Sequence, residues 1–129
     1  MRRGILLSLV LIAVLIGVRG CYLGQRQHAA DEKLFSAVMR NDIPALRRAL
    51  SRGASPNARY DHPWPMHNYS YSALSEAVRL GHLEAAAELL RRGASPQSTG
   101  RWAQPVLSIA RRRKNPEMIR LLRKHGARP

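Results

Sequence analysis

The sequence predicts an all-α solenoid of three stacked helix-turn-helix units behind an N-terminal hydrophobic helix. Three observations carry this reading. One pattern is written three times: Leu34, Ala37, Asn41-Asp42 and Gly53-Ala54; Leu74, Ala77, Gly81-His82 and Gly93-Ala94; Leu107, Ala110, Lys114-Asn115 and Gly126-Ala127. In every copy the leucine leads the glycine of the Gly-Ala pair by nineteen residues, the fixed ruler of one supersecondary unit reused. The chain also opens on an apolar run, Gly4 to Val18, that belongs to no copy of the pattern.

Residues 1–24 read as a signal anchor or signal peptide, because Met1-Arg2-Arg3 places positive charge ahead of the apolar stretch. The run is short for a spanning helix, which needs roughly 20 residues. Arg19 can snorkel, and Cys21, Tyr22 and Leu23 extend the apolar length, so an uncleaved anchor is the preferred reading. Gly20-Cys21 also resembles the processing box of bacterial lipoproteins, which makes Cys21 a candidate lipidation site, although Arg19 stands where such boxes carry a small or aliphatic residue. As the only cysteine, Cys21 forms no internal disulfide. Arg2 and Arg3 before the run, against Arg19 and Arg26 after it, favour a domain outside the cytoplasm, periplasmic in a bacterial cell; a lipoprotein or a cytoplasm-facing domain is the alternative. Residues 25–30 read as a linker to a repeat domain over 31–129.

Within that domain each copy holds two short helices. Leu34, Ala37 and Val38 share one helical face; Asn41-Asp42 interrupts; Ala45, Leu46, Ala49 and Leu50 form a second apolar face. Asp42 suits the N-cap, Pro44 is tolerated in the first turn, and Gly53 stands where a left-handed helix terminus is needed. The second copy repeats this with Leu74, Ala77 and Val78, then Ala85, Ala86, Leu89 and Leu90, closed by Gly93. The third uses Leu107, Ile109 and Ala110, then Asn115 as cap with Pro116 at the first helical position, and Met118, Ile119, Leu121 and Leu122 before Gly126. Helices this short bury one stripe each and gain stability by stacking on their neighbours. Asp31-Glu32-Lys33 at one end, and Arg123 with Lys124 at the other, read as polar caps.

Gly81-His82-Leu83-Glu84 followed by Leu89-Leu90-Arg91-Arg92-Gly93-Ala94, together with Ala45-Leu46 and Gly53-Ala54-Ser55-Pro56-Asn57, resembles the ankyrin repeat family over about residues 31 to 129. The repeats fall at about 31–59, 71–99 and 104–129. Leu74 and Leu107 stand at the 33-residue period of that family, whereas Leu34 and Leu74 are 40 apart, which implies an insertion in the first finger at about 60–70. Ser72-Ala73-Leu74-Ser75 and Pro105-Val106-Leu107-Ser108 replace the family's Thr-Pro-Leu-His start. The hydrogen bonds of that motif are therefore in question, and modest stability is expected.

Catalytic chemistry is not expected. The carboxylates Asp31, Glu32, Asp42, Asp61, Glu76, Glu84, Glu88 and Glu117 are spread along the chain, read mostly as caps and solvated helix faces, and form no pair in an evident cleft. No glycine-rich phosphate loop is present, and no cofactor or small-molecule substrate is expected. His62 and His67 beside Asp61 could chelate a metal, but a closed site wants about four ligands, so they read as loop residues. His82 is expected to hydrogen-bond at its turn.

Recognition is the function that remains. The net charge of +14 becomes +10 without Arg2, Arg3, Arg19 and Arg26, which points to an acidic partner protein; the alternative is an electrostatic binder of anionic membrane surface or nucleic acid. The ankyrin resemblance implies that fingers and first helices line a concave binding face. Carried onto this chain, the partner-binding candidates are Tyr60, Trp64, Tyr69, Tyr71 and Trp102 in the fingers, and Met39, Arg40, Arg79, Leu80, Arg112 and Arg113 on the first helices. Five of the seven aromatic residues stand in those fingers, and tyrosine, tryptophan and arginine dominate binding hot spots. Local packing is the competing reading, for Trp64 first and to a lesser extent for Tyr69, Tyr71 and Trp102. For the run Arg111 to Lys114 it is a solvated helix end, where cations suit the dipole.

Overall fold

A computed structural model describes residues 2–61 and 70–128; in its first helix, side chains are described at Ser8, at 10–17 and from Gln27 onward. His62, Trp64, His67 and Tyr69 lie outside the described residues, as does the side chain of Cys21. The elements in order are α1 (Arg2–Arg40), α2 (Ile43–Ser51), β1 (Arg59–Asp61), β2 (Ser70–Ser72), α3 (Ala73–Leu80), α4 (Leu83–Arg91), a 3-10 turn (Arg101–Ala103), α5 (Val106–Arg112) and α6 (Pro116–Lys124). The first helices α1, α3 and α5 pack side by side as an inner layer, and α2, α4 and α6 lie against them as an outer one.

α1 joins the apolar run to the first helix of the first repeat without a break. The stretch 25–30, expected as a linker, is helical. Gln25, Arg26, Gln27, Ala29 and Ala30 are good helix formers, and extending a helix is far easier than nucleating one. Among the described residues no helix is long and apolar enough to cross a membrane.

Equivalent positions build the core. Leu34, Leu74 and Leu107 of the inner layer and Leu46, Leu89 and Leu122 of the outer are all essentially inaccessible, each burial contributing about 1.5–3 kcal/mol. Alanines at 37, 77, 85, 86 and 110 keep the layers close. The local signals operate as their chemistry dictates: Asp42 Oδ1 accepts from Ala45 N–H at 2.9 Å, Asn115 Oδ1 from Met118 N–H at 3.0 Å, and Gly53, Gly81, Gly93 and Gly126 all take positive φ at helix ends.

The missing Thr-Pro-Leu-His motif costs less than expected at the second repeat. Ser72 Oγ accepts from Ser75 N–H at 3.0 Å, and Ser75 Oγ donates to Ser72 carbonyl at 2.7 Å, so two serines rebuild the cap. At α5 the N-cap is Pro105, which makes no side-chain capping bond.

Side chains also tie repeat to repeat. Asn57 accepts from Ser95 N–H at 2.7 Å and donates to Gly93 carbonyl at 3.2 Å; Gln97 donates to Gly126 carbonyl at 2.8 Å. α1 does the same for the first turn, Gln27 donating to Gly53 carbonyl and Asp31 accepting from Ser55 N–H, each at 3.0 Å. Gln27, in the expected linker, thus docks on the first repeat.

The insertion closes as an antiparallel hairpin at its base, with Arg59 opposite Ser72, Tyr60 opposite Tyr71 and Asp61 opposite Ser70. A short strand pair therefore interrupts an otherwise helical fold.

Candidate protein-docking surface

The second finger is closed from both sides. Gly100 N–H donates to Gln104 carbonyl at 2.8 Å, and Thr99 pairs with Pro105 as an isolated antiparallel bridge. A Cβ at Gly100 would stand 2.7 Å from Ile109 Cδ1 and 3.3 Å from Ser75 Cβ, so the Ile109 side chain would have to shift to admit one. Between those closures Trp102 and Ala103 take φ of 61° and 54°. For residues other than glycine this left-handed region costs about 1–2 kcal/mol each. Trp102 is 68% exposed.

Trp102 stands at the rim of a cleft of about 390 Å³ between α3 and α5, which Arg79, Arg101, Arg112 and Arg113 also line. One carboxylate faces them: Glu76, at 2% exposure, receives two bonds from the Arg79 guanidinium, Nε lying 3.0 Å from Oε2. That hydrogen bonding holds Arg79 above its ordinary pKa against the opposing effect of burial. Arg112 and Arg113 are exposed and make no ion pair among the described residues.

The other expected contact residues divide. Tyr71 is 7% exposed, which corrects its placement on the partner-facing finger: β2 turns it inward, where its ring meets Phe35 edge-on at 6.0 Å and Tyr60 at 5.4 Å. Tyr60 is half-buried in the same cluster, 5.6 Å from Phe35. Burial foremost, then the Glu76 carboxylate, push the Tyr71 hydroxyl above its ordinary pKa. Met39 is exposed and Leu80 half-buried. Arg40 belongs elsewhere, lining a separate groove of about 400 Å³ between α1 and α2 with Lys33, Arg48 and Arg52.

Sequence reasoning omitted Arg101, whose guanidinium lies 4.9 Å from the Tyr71 ring centroid and joins the two fingers. It also placed Glu76 and Glu88 among carboxylates on solvated faces, and both are buried. Glu88 collects Arg47 at 3.2 Å from the neighbouring repeat, Arg92 at 3.2 Å, and Arg91. His82 behaves as its position suggested, Nδ1 lying 2.8 Å from Val38 carbonyl. Among the described residues no group of histidine, cysteine and carboxylates is arranged to hold a metal.

Paired short helices in two layers, with fingers projecting from the inner one, define a helical-repeat scaffold. The Ankyrin repeat family model matches residues 69–101, so the chain carries an ankyrin repeat there. It is 45% identical over 93 residues to a putative ankyrin repeat-containing protein of Treponema pallidum, covering 72% of this chain and 29% of that one. It is 37% identical over 94 residues to the potassium channel KOR1 of rice, Oryza sativa subsp. japonica, covering 72% of this chain and 10% of the channel. The potassium channel GORK of Arabidopsis thaliana is 38% identical over 90 residues, 69% of this chain and 10% of the channel. The chain thus spans between a tenth and under a third of the curated relatives it matches. Ankyrin repeats are protein-interaction modules without catalytic machinery.

Proposed function

We propose that this chain is a non-catalytic docking module that binds an acidic surface of a partner protein through its second finger and inner helices, and is held at a membrane by its leading segment. The observation that carries the docking reading is Trp102, exposed on a strained and doubly closed finger beside two exposed arginines that have no carboxylate partner among the described residues. Strain of this kind persists where the surrounding structure enforces it, and such positions cluster at binding sites. The domain charge supplies steering toward an acidic partner.

The tether rests on Val10, Leu11, Ile12, Val14, Leu15 and Ile16, each more than half exposed around α1. An apolar surface exposed to this extent calls for lipid or a partner. A signal anchor with a periplasmic domain is the reading the charge order favours, and lipidation of Cys21 would serve the same end. Alkaline washing of native membranes tests it: the chain is expected to stay with the membrane, and release would refute tethering.

Crosslinking and capture from native membranes tests the docking. The wild type is expected to retain one protein that Trp102→Ala loses while the helical circular-dichroism spectrum is kept. If wild type and variant retain the same lipid or nucleic acid, with steep salt dependence, the electrostatic reading replaces it.

A further inference from the structure

We infer that the cleft between α3 and α5 is a carboxylate subsite, taking a glutamate or aspartate side chain of the partner with an adjacent apolar residue laid on Trp102 and Ile109. This deepens the docking reading and rests on it. The cleft carries four arginines and one carboxylate. Glu76 is spent on Arg79 and holds that guanidinium against α3, so it stands as part of the wall. Arg101 is held over the Tyr71 ring. Arg112 and Arg113, on and just after the last turn of α5, then present cationic forks to the opening.

Two properties select the ligand. Guanidinium forks match a carboxylate in a planar, two-bonded geometry. Ile109 in the wall and Trp102 on the rim offer apolar surface, so an acidic group beside a leucine or aromatic residue satisfies both halves of the cleft. A second copy of this chain is excluded as occupant by charge, because each repeat domain carries an excess of ten cations.

The probe is a fluorescein-labelled peptide with two adjacent glutamates flanked by leucines, and its twin with glutamines, titrated by anisotropy against the full-length protein in uncharged detergent at physiological salt. The glutamate peptide is expected to bind at least about tenfold tighter than the twin. Arg112→Gln with Arg113→Gln should weaken it by about tenfold or more, whereas Arg120→Gln with Arg123→Gln, the same charge removed from exposed positions on α6, should change it less than about twofold. Equal loss in the two double variants, equal binding of the twin, or no binding by wild type would each overturn the subsite. Failure here with capture still lost in Trp102→Ala leaves the docking reading intact. Selective peptide binding with capture unchanged would instead keep the cleft and remove the docking reading.

Discussion

Replacing Glu88 by glutamine tests whether a buried carboxylate locks the first repeat to the second. Glu88 is 2% exposed, and its oxygens receive Arg47 from α2 as well as Arg91 and Arg92 from its own hairpin. The three arginine side chains are 55%, 62% and 43% exposed, so solvent screens each bond and each is worth about 0.5 kcal/mol rather than the larger value of a buried charged bond. Glutamine preserves volume but turns an amide N–H₂ toward guanidinium donors, leaving a buried donor unsatisfied at a cost of about 1–3 kcal/mol. Together the loss is about 3 kcal/mol, or a fall in Tm on the order of 12–24 °C for a domain of this size. Arg47→Gln removes one screened bond and leaves Glu88 satisfied by its other two partners, so about 0.5 kcal/mol is expected. Urea denaturation of the full chain in mild detergent, followed by circular dichroism, measures both. Equal losses in the two variants, or a Glu88→Gln protein as stable as wild type, would refute the reasoning.

Leu74→Ala in the central repeat should cost about 3–5 kcal/mol by the same assay, since Leu74 is inaccessible and the alanines around it cannot fill the cavity. Asn57→Ala, which opens the link to Ser95 and Gly93, should cost about 1 kcal/mol, because both bonds are solvent-exposed. Trp102→Gly relieves about 1–2 kcal/mol of left-handed strain while losing a partly buried ring, so stability is expected to stay near wild type and partner capture to disappear. Burial favours the neutral Tyr71 phenol, so its contribution is fully present below the unfolded pKa of about 10 and is lost as pH rises through the higher folded value. An ultraviolet phenolate titration should show a tyrosine ionising above the ordinary phenol range, absent in Tyr71→Phe.

The parts of this fold that were legible in the sequence are those fixed by near neighbours. Asp42 and Asn115 cap helices three residues away, and Gly53, Gly81, Gly93 and Gly126 answer the backbone of their own turns. The stripe leucines follow from a period of 3.6 once the repeat is seen. Glu88 and Tyr71 were misplaced because partners of each come from another repeat. A carboxylate three or four residues before an arginine looks like a solvated helix pair, and the bond Glu88 receives from Arg47 spans 41 residues of chain. Tyr71 looked like a finger residue because the alternation of a three-residue strand is too short to read. Trp102 was legible as an exposed aromatic, but its backbone strain was not, since that arises from the Thr99–Pro105 and Gly100–Gln104 closures together.

Those closures connect stability to recognition. Five residues from Gly100 to Gln104 must turn back within the space left by Ser75 and Ile109, and the backbone meets that demand at Trp102 and Ala103 rather than at a glycine. Glycine at either position would remove the strain and also release the finger, whereas tryptophan held in one backbone conformation spends little further entropy when a partner covers it. The same logic applies to Arg79, fixed by Glu76, and to Arg101, held over Tyr71, itself packed on Phe35 of α1. A continuous chain of contacts thus runs from the first helix through both fingers to the cleft. The rigidity of the repeat stack is thereby delivered to the side chains that would meet a partner, and the strain in the second finger is held by the two closures at its base.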